Sequence, residues 1–411
     1  MPSRDSRRGF LCACFGGIVA MAGCMSSRTD VDHGTPPFES DPWPMVHFDA
    51  QNTGYTPEVT GPQSAVSEQW SQITAYGANV DVSCPILANN RVYTGMSTDR
   101  AVLSAFSAAD GTEAWQFQSG VSSSTPAASD GRLYFGDDGV IYAIDSEDGT
   151  TEWSVDTDGS LMTSVTVRDG TVYTWGGPRS RRLYAIDAET GAIEWTHTTA
   201  DLDGPTNDVP PAVHADGVVV AVDVYSESSS ASQIRGLAPD GEEQWRYENP
   251  TGQSSISAPV VQDGRVFASV GGQGIVALDR MTGEAEWVYP VDTFRAVNGI
   301  MSGPAIAEGV VYGTSGGREL VAISQTDGTI EWQIDLGLPT ISSPVITGRQ
   351  LYIGTTDRTV GSDRESEVFG IDTDDGTVDW RWTAPNPVTT TASIGDSTLF
   401  VATDRTLHAL A

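Results

Sequence analysis

Short apolar runs alternate along this chain with turns rich in glycine and aspartate. Arg182-Leu183-Tyr184-Ala185-Ile186-Asp187 is one run; a turn containing Gly191 follows, and the next run ends near Trp195. Upstream lies a second pattern, Thr125-Pro126-Ala127-Ala128-Ser129, then Asp130-Gly131, then Arg132-Leu133-Tyr134-Phe135-Gly136. Asp-Gly between apolar runs is a strong hairpin signal, because glycine adopts the positive φ that tight turns need. Equivalent turns fall at Asp169-Gly170, Asp216-Gly217, Asp263-Gly264 and Glu308-Gly309. The pattern predicts a repeating unit of four short antiparallel strands.

The repeat is explicit in one phrase, Ala185 to Trp195, which reads Ala-x-Asp-x-x-Thr-Gly-x-x-x-Trp. Variants run from Ala105 to Trp115, Ala143 to Trp153, Ala277 to Trp287, Ala322 to Trp332 and Gly370 to Trp380, with a shorter copy from Gly236 to Trp245. An eighth copy starts at Ala409 and stops at Ala411, and its missing end stands near the other terminus, where residues 65–70 lead to Trp70. From Trp70 onward each of eight units has roughly 43 residues, the length of a propeller blade. An all-β, eight-bladed β-propeller of four-stranded blades follows. The split copy predicts closure, with an N-terminal strand at 66–71 completing a C-terminal blade built from 390–410, which leaves no sheet edge open. Trp70, Trp115, Trp153, Trp195, Trp245, Trp287, Trp332 and Trp380 recur once per unit, so structural docking between blades is their expected role.

Composition narrows the functional classes. The 411 residues carry a formal net charge of −33, and every basic residue is arginine. Such an acidic coat suits a protein adapted to high salt, where carboxylates stay hydrated. It supplies no basic footprint for nucleic acid, so no nucleic-acid partner is expected. The four cysteines, Cys12, Cys14, Cys24 and Cys84, form no CxxC pair, which removes zinc-ribbon, thioredoxin and c-type haem readings. Cys84, before Pro85, is expected to be a small buried residue of an innermost strand.

The N-terminus reads as an address and an anchor. Arg7 and Arg8 precede Phe10-Leu11 and an apolar stretch from Leu11 to Gly23, the pattern of a twin-arginine export signal over residues 1–23. Met21-Ala22-Gly23-Cys24 resembles a lipobox, so Cys24 is expected to carry lipid. Residues 24–42 would then be a lipidated tether and 43–411 the propeller. The expected location is the outer face of the cytoplasmic membrane, with the membrane reached through the lipid.

The repeated phrase resembles the tryptophan-docking motif of quinoprotein-type propellers, a group that includes the pyrroloquinoline quinone (PQQ) dehydrogenases and the BamB-type assembly lipoproteins. Ala185, Asp187, Thr190, Gly191 and Trp195 match it in full, as do Ala277, Asp279, Thr282, Gly283 and Trp287. Asp110, Asp148, Asp327 and Asp375 replace the threonine elsewhere. Trp43-Pro44-Met45 and residues 48–55 look like the lead-in common in these propellers. The dehydrogenase branch implies PQQ over a calcium ion with a vicinal cysteine lid and an aspartate base. Neither a Cys-Cys pair nor a catalytic aspartate can be placed in this sequence, so no cofactor is predicted and PQQ with calcium stands as the alternative.

No histidine spacing suggests a metal site, and the aspartate-rich turns at 372–376 and 156–159 lack the glutamate that would close a calcium loop. Loop length is the remaining positional clue. The Asp-Gly and Thr-Gly turns are short and uniform, and they should share one face. The connections 72–82, 176–182, 198–209, 223–233, 248–256, 288–301 and 355–367 vary and should share the other, the expected binding face. Its candidates are Arg179, Arg181, Arg182, Tyr225, Tyr289, Phe294 and Arg295, together with Tyr76, Trp175 and Arg364. The three neighbouring arginines form a rare basic cluster. These features point to a membrane-tethered, monomeric scaffold that binds extracytoplasmic protein partners. A quinone-dependent dehydrogenase of alcohols or sugars and a carbohydrate binder are the competing readings.

Overall fold

The computed structural model describes residues 43–74, 81–97, 102–118, 124–157, 159, 164–176, 180–199, 201–202, 206–225, 230–290, 302–314, 317–356 and 365–411. They form eight sheets, antiparallel throughout except for one added parallel strand. The innermost strands are Ile86–Ala88, Ala127–Ser129, Thr166–Arg168, Ala212–His214, Val260–Gln262, Ala305–Ala307, Val345–Thr347 and Ser393–Gly395, taken here as blades 1 to 8. The eighth blade is composite as predicted. Glu68–Ile73 is its outermost strand and pairs with Thr406–Leu410, while Ser67 and Ala411 exchange backbone hydrogen bonds.

Three sheets carry a fifth strand that the four-strand unit did not predict. In blades 1 and 4 the second strand runs on, as Arg91–Ser97 and Gly217–Tyr225, past the short innermost strand. Asp81–Val82 and Thr206–Asp208 pair with those extensions. In blade 7, Tyr55–Thr56 pairs in parallel with the innermost strand.

The structure explains the repeated phrase residue by residue. The small first position stands directly opposite the tryptophan, as in Ala185↔Trp195, Ala277↔Trp287 and Gly370↔Trp380. A register shift follows at once in each pair, the signature of a bulge that re-aims a side chain. Asp187 Oδ1 accepts from the Thr190 amide at 2.8 Å and from its hydroxyl, closing the turn. Where aspartate replaces the threonine the roles are exchanged. Asp110, Asp148 and Asp327 accept from the amide and hydroxyl of Thr112, Thr150 and Thr329, and these bonds hold their carboxyls below the usual range.

Each tryptophan docks onto the next blade. The indole N–H of Trp115 donates to Ser146 O, that of Trp153 to Ala188 O, and that of Trp332 to Thr373 O, at 2.8–3.2 Å. In three blades a tyrosine of the second strand donates to the same carbonyl, as Tyr93, Tyr134 and Tyr312 do, with its ring centroid 5.8 Å from the tryptophan's. The motif glycine lies under the neighbouring blade's indole. Gly191 has φ +73°, and a methyl there would come within 2.9 Å of the Trp153 ring. Gly191→Ala is therefore expected to cost about 2–3 kcal/mol, from left-handed strain plus displacement of Trp153. Denaturant titration checks it; an unchanged midpoint would show that the seam yields freely.

The seam between blades 7 and 8 departs from this rule. Trp380 and Tyr352 both donate to Pro62 O, at 3.1 Å, so the N-terminal stretch supplies the carbonyl that a strand-to-strand turn supplies elsewhere. The Ser397 amide donates to Thr60 O, fixing that stretch on blade 8.

Candidate functional site: the central channel and the variable face

The axis of the ring is occupied by the chain's own lead-in. From Trp43 to Gly54 it offers one carbonyl after another to the innermost strands. Leu87 N donates to Trp43 O, Ala128 to Pro44, Val213 to Ala50, Val261 to Gln51, Ile306 to Thr53 and Ile346 to Gly54, at 2.6–3.0 Å. Each donor is the central residue of its strand, in blades 1, 2, 4, 5, 6 and 7. Short innermost strands converging on an axis leave inward N–H groups without ladder partners, and the lead-in satisfies them.

Its side chains lock the turn. Asp49 accepts from the Thr53 hydroxyl at 2.7 Å and from the amides of Thr53 and Gln51. Asn52, at φ +61°, donates its amide to Pro211 O and Pro259 O, at 3.2 and 3.0 Å, bridging blades 4 and 5. His47 is buried beside Gly303. Burial pushes its imidazole down from 6.5 to about 4, against the Asp49 charge and the Asn52 backbone, which favour the proton.

A neutral buried histidine gives stability a sign with pH. The unfolded chain binds a proton near 6.5 and the folded one only near 4, so this contribution is complete above pH 6.5 and lost as pH falls toward 4. His47 should account for a loss of about 3 kcal/mol across that window, and His47→Gln should remove that part of the slope. Denaturation midpoints at stepped pH measure it; identical slopes in both proteins would contradict the assignment.

Around the lead-in, hydroxyls recur at the entry to the innermost strands. Ser83, Ser124, Ser257, Ser342 and Thr390 each accept from a second-strand amide twelve residues on, at Gly95, Gly136, Ser269, Gly354 and Ala402. One position later a second set stitches neighbouring blades. Cys84 N donates to Thr125 Oγ1, Gly303 N to Ser343 Oγ, and Ser343 N to Thr391 Oγ1, at 3.0–3.2 Å. Cys84 thus takes a place that hydroxyl residues hold in other blades, just ahead of the innermost strand. It keeps some exposed surface, and burial pushes its thiol up against hydrogen bonds from Thr391 and Thr125.

This donor set does not fit a calcium-held quinone. The hydroxyl oxygens named above are engaged with amides, and Asp49, the only carboxylate of residues 43–56, is taken up by its own turn. Among the described residues no group of three or more His, Cys, Asp or Glu could hold a metal ion.

Five of the sequence-predicted binding-face residues, Arg181, Arg182, Tyr225, Tyr289 and Trp175, are among the described ones. Arg179, Phe294, Arg295, Tyr76 and Arg364 lie outside the described residues, as do Arg7, Arg8 and Cys24. Arg181, at φ +52°, donates to Leu202 O, tying two connections of the variable face together. Arg182 opens the strand Arg182–Asp187 and is exposed. Tyr225 ends the strand Gly217–Tyr225, and Tyr289, half-buried, packs from the outermost strand of blade 5. Trp175 belongs to the core instead. It is fully buried between blades 3 and 4, with its indole N–H on Val209 O.

Sequence reading missed Arg235, which is 1% exposed and held by Asp201, Glu243 and Gln233. It also missed the axial role of Asp49 and Asn52. A serine two residues before a proline, as at Ser83, Ser124, Ser257 and Ser342, was the available signal for the hydroxyl ring, and Thr390 lacks it.

Three findings relate this geometry to known proteins. The family model described as outer membrane protein assembly factor BamB matches residues 65–176, 137–300 and 293–410. No curated protein matches the chain. Among solved structures, quinohemoprotein alcohol dehydrogenase from Comamonas testosteroni superposes with a TM-score of 0.71 at 15% identity, covering 92% of this chain and 81% of that one. BamB from Moraxella catarrhalis gives 0.59 at 16%, covering 84% and 98%, and a europium-containing methanol dehydrogenase gives 0.63 at 14%, covering 89% and 90%. At these identities the likeness is one of fold.

Proposed function

The chain belongs to the PQQ-repeat propeller family described as outer membrane protein assembly factor BamB, and from that premise we propose that it is a protein-binding scaffold working outside the cytoplasm. The observation that supports this reading is the lined axis: the backbone of residues 43–54 is hydrogen-bonded to the innermost strands of six blades. Recognition is left to the surface, and the connections of the variable face are its natural carriers. In this reading Arg7 and Arg8 direct export and Cys24 carries the lipid that holds the protein at the outer face of the cytoplasmic membrane.

The quinone-dependent alternative draws on the fold likeness to alcohol dehydrogenases. Titration of the purified protein with PQQ and calcium separates the two. The scaffold reading expects no stoichiometric binding and no dye reduction with alcohols or sugars; saturable binding with turnover would overturn it. Crosslinking in intact cells, followed by mass spectrometry, is expected to recover a reproducible protein partner. Cys24→Ser should release the protein from the membrane fraction.

A further inference from the structure

Strand direction fixes the face by which the chain enters the ring. Each innermost strand runs toward its short turn, as Ile86–Ala88 runs into Asn89-Asn90. Trp43 bridges Leu87 in the antiparallel sense, so at that point the chain travels the other way, inward from the face that carries the short turns. Tyr55–Thr56 is parallel to Ile346–Thr347, so the lead-in leaves by the same face. Both ends of the axial segment therefore open on the uniform face.

We infer that the lipid tether holds the uniform face toward the membrane and presents the variable face, with its long connections, to a protein partner in the aqueous phase. This rests on the reading of Cys24 as the lipid-bearing residue. A flexible chain as long as residues 25–42 would have a root-mean-square reach of about 24 Å. To bring the variable face to the bilayer, the tether would first run out under one four-stranded blade and up one six-residue strand. That path is about 35 Å before any lipid is reached. The uniform face also carries carboxylates on its turns, among them Asp110, Asp130, Glu147, Asp169 and Glu189. Its approach to an anionic leaflet should therefore tighten as salt screens them.

The test uses the full protein purified with its own lipid, in a Cys84→Ser background, bound to phosphatidylcholine vesicles doped with a nitroxide-headgroup lipid. Single dyes are placed at Glu189→Cys or Thr326→Cys on the uniform face, and at Gln118→Cys or Thr383→Cys at the opposite ends of outermost strands, all exposed positions. The expected result is flotation with the vesicles and quenching about twofold or more stronger at 189 and 326 than at 118 and 383. With phosphatidylserine added, raising the salt should increase quenching at 189 and 326. Protein that floats but shows equal or reversed quenching overturns the orientation. Protein that does not float removes the lipid reading, and the orientation with it.

Discussion

Excision of residues 43–56, with everything from Pro57 onward retained, is expected to destabilise the propeller by about 5 kcal/mol or more. Six innermost strands lose the carbonyls that accept their central amides. Trp43, Met45 and Tyr55, which are 0, 2 and 6% exposed, leave the core with them. Water entering the vacated axis would satisfy some of those amides, which is why the expected loss stays below the sum of the separate bonds. Amide hydrogen exchange at Leu87, Ala128, Val213, Val261, Ile306 and Ile346 locates the effect, and denaturant titration measures it. Native protection at those six amides in the excised protein would show that the lead-in is a passenger.

The second large effect belongs to Trp380. It is 4% exposed, packs against Tyr352 with ring centroids 5.9 Å apart, and donates to Pro62 O. Trp380→Ala should cost about 3–5 kcal/mol, the range for deleting a large buried aromatic side chain. Trp380→Phe should cost far less, about 1–2 kcal/mol, because the Tyr352 hydroxyl continues to satisfy Pro62 O. The comparison separates ring packing from the hydrogen bond. Similar losses in the two variants would assign the seam's stability to the indole N–H.

Much of this architecture was legible because the repeat states it eight times. The Asp187, Thr190, Gly191 and Trp195 positions each meet a local need, turn closure, positive φ or indole docking, that the same residue types meet in other blades. Composite closure was legible too, since the broken phrase at Ala409 needed an end and Trp70 offered one.

What was not legible occurs once. The axial course of the lead-in depends on amides contributed by strands up to 292 residues away, such as Ile346 to Gly54, and no local pattern announces such partners. Pro62 as a docking carbonyl is likewise a long-range substitution. Trp175 has the spacing of a loop aromatic, yet it fills a site where Gly95, Gly136 and Gly354 stand in other blades. The arginine cluster was visible as charge. Of its described members, Arg181 is bonded to Leu202 O, a long-range partner that charge alone does not announce.

The pairing of Ser67 with Ala411 also sets the order of events during synthesis. Glu68–Ile73 leaves the ribosome early, and its partner strand, Thr406–Leu410, follows about 330 residues later. Until Thr406–Leu410 has left the exit tunnel the eighth blade lacks its third strand, so the ring cannot close before then. A translocase that accepts only finished rings would have to wait for that step.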